Sequence, residues 1–171
     1  VLFGLKIMSD KENNSLVVNA NETNVNEEKE EVVVEQPKTL ASDSRPIAVM
    51  IDNHRDAMPQ AGLLEADIVY EIIVEGGETR LMLILQDKDL EKIGPIRSSR
   101  HYFLDYALEN DAIYVHYGWS PQAKLDISKY SVDNINGIYE SSTSFWRVSD
   151  KYAPHNAVTS TEKIMSIKKR K

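Results

Sequence analysis

Cysteine is missing from the 171-residue chain, which excludes disulfides, thiolate metal sites and thiol catalysis. No stretch reaches the roughly 20 consecutive apolar residues that a membrane-spanning helix needs. The opening Val1–Met8 is apolar but short; it reads as the tail of a signal peptide or anchor, or else as ordinary unstructured sequence. Basic charge is scarce too. The net charge is -7, and apart from the terminal Lys168-Lys169-Arg170-Lys171, read as a solvated helix end, nothing forms a nucleic-acid footprint. There is no G-x-S-x-G elbow, no Walker loop and no dinucleotide fingerprint. The four histidines, His54, His101, His116 and His155, show neither i, i+4 spacing nor an HExxH pattern, so no metal site is expected from spacing.

What charge there is lies unevenly. Residues 1–44 hold nine acids and four lysines, a net of -5, so the remaining residues carry only -2. From Ser9 to Ser44 the composition is Asn, Glu, Lys and Val without a helical or strand period, too little apolar surface to offset chain entropy. This segment is expected to be a disordered acidic tether over 1–44, with a folded domain over 45–171.

Within that domain the apolar runs are short and bounded by turn residues. Ile47–Ile51, Ile68–Val74, Thr79–Gln86 and Ala112–Val115 read as strands. Gly76-Gly77 is a tight connection between the second and third. Leu63–Ala66 reads as one helical turn, and Ser120-Pro121 as a helix start with Pro at its first position. Ile127–Ser144 reads as irregular, with a turn at Asn136-Gly137, and Phe145-Trp146-Arg147 and Ala153-Pro154-His155-Asn156 as polar-aromatic loops. Thr159-Ser160-Thr161-Glu162 fits a capping box opening a last helix. That helix is expected to leave Ile164 and Met165 uncovered, so that more protein should follow. The class is α/β or α+β, a mixed sheet of about four or more strands flanked by helices.

Chemistry concentrates in Gly94-Pro95-Ile96-Arg97-Ser98-Ser99-Arg100. If Ser98 or Ser99 caps a helix running to Glu109, Arg97 and Arg100 fall beside free backbone N–H groups and the positive end of a helix dipole, a combination that suits an anion. The equal alternative is that both arginines pair with acids and lock the loop. Asp52-Asn53-His54 ends a buried strand, where ligands collect in open α/β sheets. Asp52, Glu75 and His116 are the catalytic candidates, the two acids for acid–base work or a divalent cation. Arg80, Arg97, Ser98, Arg100, Arg147, Asn53, His116, His155 and Asn156 are the candidate ligand contacts. Glu71, an acid inside an apolar strand, is expected to pair with an Arg.

Longer runs carry a resemblance. Arg45-Pro-Ile-Ala-Val-Met-Ile-Asp-Asn53, Ala66-Asp-Ile-Val-Tyr-Glu71, Val74-Glu-Gly-Gly77 with Thr79-Arg80, Ile93-Gly-Pro-Ile-Arg-Ser-Ser-Arg100, Asp111-Ala-Ile-Tyr-Val-His116 and Ala153-Pro-His-Asn156 resemble the YerB-like family of bacterial proteins, named as lipoproteins and of unknown function. The resemblance spans about residues 45–160. It implies an extracytoplasmic, membrane-tethered envelope protein with an export signal and a second, C-terminal domain. The lipid-carrying cysteine of a lipoprotein is missing and so is that domain, so the sequence is expected to be a fragment or to be anchored by a helix upstream of Val1.

Three functions follow as expectations. The first is a binding or assembly module for an anionic small molecule or envelope component. The second is an envelope phosphotransferase or hydrolase. It rests on an order of strand, acid, arginine-bearing loop and strand that is similar in outline to the LytR-CpsA-Psr phosphotransferases, which hold a lipid pyrophosphate with arginines and use an acid-bound divalent cation. The third is a structural or protein-interaction module with a protein partner. No nucleic acid is expected, and membrane contact only through an upstream anchor. A divalent cation enters only with the phosphotransferase.

Overall fold

Ile47–Asp52 (β1) is buried at every position because it lies at the centre of a sheet with helices on both faces. The computed structural model describes residues 42–170; the expected tether over 1–44 therefore lies, except for Ser42–Ser44, outside the described residues. Those three residues are hydrogen-bonded: Gln86 Nε2 donates to the carbonyls of Ser42 and Ser44, and Ser44 Oγ donates to Asp87.

Five strands form the main sheet: β1, Ile68–Ile73 (β2), Thr79–Leu85 (β3), Ile113–His116 (β4) and Asn134–Asn136 (β5), in the order β2-β3-β1-β4-β5. β3 runs antiparallel to both β2 and β1, whereas β4 is parallel to both β1 and β5. The sheet is mixed, as expected. Two short strands, Trp146–Arg147 (β6) and Ala157–Val158 (β7), make a separate antiparallel ladder. The helices are Leu104–Glu109 (α1), Pro121–Lys129 (α2) and Thr161–Arg170 (α3).

Alternation along the central strands sorts their apolar side chains into two cores. Ile47, Val49, Ile51, Leu81, Leu83 and Leu85 meet Ile93, Ile96, Phe145 and the α3 residues Ile164 and Ile167. On the other face Ala48, Met50, Met82 and Ile84 meet Phe103, Leu104 and Ala107 around α1, and Ile127 from α2. Ile164 is fully buried, so the expectation that it lies uncovered is wrong; Met165, on the outer side of the same helix, is exposed. The reason is the 3.6-residue period, which turns Ile164 and Ile167 onto one face and Met165 off it.

Other local expectations shift as well. Ser120 does cap α2, its Oγ accepting from Ala123 N–H. The α3 cap is Ser160, whose Oγ accepts from Lys163 N–H. Lys163 therefore stands where a capping box needs an acid, and Thr159 Oγ1 is occupied instead by Ser144 O. Residues 63–66 form bends and a turn without helix, and the stretch read as irregular contains the end of α2 and β5.

The arginine loop departs most from its reading. β1 and β4 pair only as far as Val49↔Val115 and then part. Residues 96–99 enter the gap in extended form. Arg97 N–H donates to Met50 O (3.0 Å) and Arg97 O accepts from Tyr117 N–H (2.9 Å), while Ser99 N–H donates to Gly118 O (2.9 Å). Pro95 O accepts from Asp52 N–H (2.9 Å). Upstream, Gly94 has φ +140° and a Cβ there would meet Ala157 O at 2.9 Å, a position that excludes other residues.

Candidate functional site

Threading the loop between β1 and β4 brings Arg97 and Arg100 to the carboxyl ends of two parallel strands, near Arg80 of β3, the place where sheets of this kind open to ligands. It also removes the anion site as the sequence presented it. The N–H groups of Arg97 and Ser99 are taken by sheet carbonyls. Ser99 is fully buried, and its Oγ accepts the hydroxyl of Tyr114 at 2.8 Å. Neither Ser98 nor Ser99 caps a helix: a 3-10 turn starts at His101 behind Arg100, with no side-chain cap, and α1 has only six residues. Any anion binding here depends on guanidinium groups, not on a helix terminus.

Those groups are close together. Arg80, on β3 and the cross-strand partner of Asp52, is 7% exposed, and its Nη1 donates to Ser98 O at 2.6 Å. Burial lowers its pKa, and the charges of Arg100 and Arg97 lower it further against the opposing pull of Asp52 and Glu75. Arg100 Nε donates to both oxygens of Glu75, at 2.7 and 3.0 Å, and its Nη1 to Ser99 O. That hydrogen bond holds the Glu75 carboxyl below the usual range. Arg97 Nε lies 3.1 Å from Asp52 Oδ2, but its N–H is not directed at that oxygen, so the contact is one of charge alone.

Asp52 is the junction of the site. Its Oδ2 also faces His155 Nδ1 at 2.7 Å, and its Oδ1 accepts from His54 N–H at 3.1 Å. The Asp52 contact sets the proton of neutral His155 on Nδ1 and leaves the lone pair on Nε2. The His54 ring stacks on that of His155, with centroids 4.5 Å apart. The sequence places His54 in the strand-end group Asp52-Asn53-His54, where ligands collect, but not among the candidate catalytic or ligand-contact residues; that position is its one signal.

The remaining candidates divide. Arg147 is exposed, donates to Asn156 Oδ1 at 2.6 Å and lies over the Tyr117 ring; Asn156 also donates to the carbonyls of Val148 and Lys151. Asn53 bonds Thr79, Glu71 and Gln60 on the side of the strand away from the loop. Glu71 is exposed on the edge strand and accepts from Asn53 and Thr79, which corrects the expected arginine pairing. His116 does not stand at a rim. It is fully buried, with Nδ1 2.7 Å from Gly118 O, Nε2 3.2 Å from Asn134 Oδ1 and its ring against Tyr114 and Trp119. With no solvent access in this conformation it reads as a packing histidine.

Comparison with known proteins agrees with this architecture. Residues 33–171 match the family model described as "Protein of unknown function (DUF3048) N-terminal domain". The chain is 42% identical over 123 residues to the "Putative lipoprotein YerB" of Bacillus subtilis (strain 168), covering 72% of this chain and 37% of that protein. The crystal structure of the YerB protein from Bacillus subtilis superposes with a TM-score of 0.71 at 41% identity, over 74% of this chain and 43% of the other. The chain thus spans well under half the length of the relative it matches. Over most of its own length, it belongs to the DUF3048 family of proteins of unknown function.

Proposed function

We propose that this protein is a tethered component of the bacterial cell envelope that binds an anionic ligand through Arg80, Arg97 and Arg100. The envelope setting is supported by the name of its relative, "Putative lipoprotein YerB". Among the described residues no helix is long and apolar enough to cross a membrane. The anion reading is carried by one observation: three guanidinium groups gather at one loop, Arg97 beside Asp52, Arg100 on Glu75 and the Ser99 carbonyl, and the buried Arg80 on the Ser98 carbonyl. Like charges held together at a partly desolvated strand end are relieved by a bound anion, and guanidinium forks suit phosphate or carboxylate. The Asp52–His155 pair would supply an acid–base group if the ligand were also a substrate.

A second reading is favoured by the pairings themselves. Arg97 beside Asp52 and Arg100 on Glu75 are what an internal ion network looks like. Titration with inorganic pyrophosphate, followed by the urea midpoint, separates the two. Binding at 100 times Kd raises stability by about 2.7 kcal/mol. The rise should vanish in Arg100→Gln, whose fold is kept because Glu75 is mostly solvated. A midpoint unmoved by pyrophosphate in the wild type supports the network instead.

A further inference from the structure

The two stacked histidines belong to a cluster that the anion reading leaves unused. His54, Asp56 and His155 each present a donor atom, and the three atoms lie within 4.8 Å of one another. We propose that these residues bind a divalent transition-metal ion of the zinc type, with Asp52 as the positioning carboxylate that orients His155. The proposal does not depend on the anion reading.

Several features point the same way. Asp56 Oδ2 lies 3.6 Å from His54 Nδ1. An ion bonded to both at about 2.1 Å would subtend an angle of roughly 118°, close to tetrahedral. His155 donates Nδ1–H to Asp52 Oδ2 at 2.7 Å, the carboxylate–histidine arrangement that fixes a ligating imidazole and raises its basicity. Asp52 is almost fully buried and is tied in turn by His54 N–H, so the orienting group is itself fixed. The side chains of His54, Asp56 and His155 stay accessible, Asp56 most of all, leaving an entry path and room for water.

Charge agrees. Asp52, Asp56 and Glu78 surround the two imidazoles, with Glu78 Oε1 3.5 Å from His54 Nε2. The cations nearby are Arg97, which is committed to Asp52, and Arg55, an exposed side chain 3.5 Å from the other oxygen of Asp56. Two nitrogens and one carboxylate favour a borderline ion over calcium or magnesium, which prefer oxygen throughout. In the described conformation His54 Nδ1 accepts a 3.1 Å bond from Asp56 N–H, the contact that an ion would replace. The site is invisible to spacing rules because its histidines stand at positions 54 and 155.

The test uses the whole 171-residue protein without a histidine tag, stripped with chelator and dialysed against zinc in phosphate-free buffer. One zinc per chain is expected, together with visible cobalt bands of low-coordinate N/O type on Co²⁺ substitution. His54→Gln and His155→Gln should each weaken binding at least 100-fold, and Asp52→Asn about 10–100-fold. His101→Gln, an exposed histidine elsewhere, and Arg100→Gln should leave zinc binding unchanged. If His155→Gln fails to fold by circular dichroism, Asp56→Asn, on an exposed side chain, reads the same site. Less than about a tenth of a zinc per chain, or wild-type affinity in both His54→Gln and a folded His155 or Asp56 variant, overturns the assignment.

Discussion

Replacing Arg97 by Gln asks how far the arginine loop is part of the core. Asp52, its partner, has a side chain only 5% exposed, with Arg97 Nε 3.1 Å away. Removing one member of a buried pair costs about 3–5 kcal/mol when the other is left without compensation. Two structural facts reduce that figure. The Arg97 N–H is not aimed at the carboxylate, so no formed hydrogen bond is lost there. His155 also stays 2.7 Å from the same oxygen and keeps its hydrogen bond there. About 2–3 kcal/mol is therefore expected. Arg100→Gln is the control, because Glu75 is 66% exposed and water can take over its solvation; an exposed pair is worth about 0–1 kcal/mol. With a urea slope of about 2 kcal/mol per M for a domain of this size, the Arg97→Gln midpoint should fall by about 1–1.5 M and that of Arg100→Gln by less than about 0.5 M. Arg97→Lys keeps the charge without the planar fork and should recover part of the loss. Equal shifts for the two Gln variants, or an Arg97→Gln midpoint within about 0.3 M of wild type, would refute the idea that burial of Asp52 makes the difference.

Three further outcomes are expected. Gly94→Ala places a Cβ 2.9 Å from Ala157 O at φ +140° and should cost about 2–3 kcal/mol, whereas Gly76→Ala, at φ +77° with nothing within 4 Å, should cost about 1 kcal/mol; urea midpoints compare them. Ser99→Ala strands the buried Tyr114 hydroxyl and should cost about 1–3 kcal/mol, while Ser99→Ala combined with Tyr114→Phe removes both partners and should lose no more than the single change, which a double-mutant cycle reads directly. Burial opposes ionisation of Asp133, but hydrogen bonds from Lys168 and Arg45 outweigh it and hold the carboxyl below its usual range. With the folded pKa depressed, this stabilisation is present above the unfolded value of about 3.9 and is lost as pH falls through the folded one. Stability measured from about pH 5 downward should therefore fall more steeply in wild type than in Asp133→Asn.

The central sheet was legible because its strands are short apolar runs closed by turn residues, and burial on both faces leaves no other place for Ile47–Ile51 or Leu81–Leu85. β5 was not, since Asn134-Ile135-Asn136 holds one apolar residue and gains its identity only by lying parallel beside β4. β6 and β7 have two residues each, too few for any period. The arginine loop misled for a physical reason. Its serines followed by Tyr102, Phe103 and Tyr106 have helical spacing, but the gap where β1 and β4 part offers residues 96–99 backbone partners on both sides, and pairing there outweighs local propensity. His116 misled differently: a polar residue at a strand end reads the same whether it faces solvent or, as here, the carbonyl of Gly118. Glu71 was expected to pair with an arginine because its neighbours are apolar, yet β2 is an edge strand with that face open, so the carboxylate needs no such partner.

Asp52 limits how the two proposed sites can be told apart. Its Oδ2 faces Arg97 on one side and His155 on the other, so charge introduced at either site is felt by the same carboxylate. An anion drawn to the guanidinium groups would compete with Asp52 for Arg97 and leave more of its charge for His155. An ion on His155 would hold Asp52 toward the imidazole and leave Arg97 freer for an anion. The two sites are thus expected to favour each other's occupancy, and by thermodynamic linkage the gain must be equal in both directions. Changing Asp52 disturbs both at once, so by itself it does not tell one site from the other. Arg100 and His54 are the separating positions, since Arg100 bonds Glu75 and Ser99 but no histidine, and His54 contacts His155, Asp56 and Glu78 but no arginine of the loop.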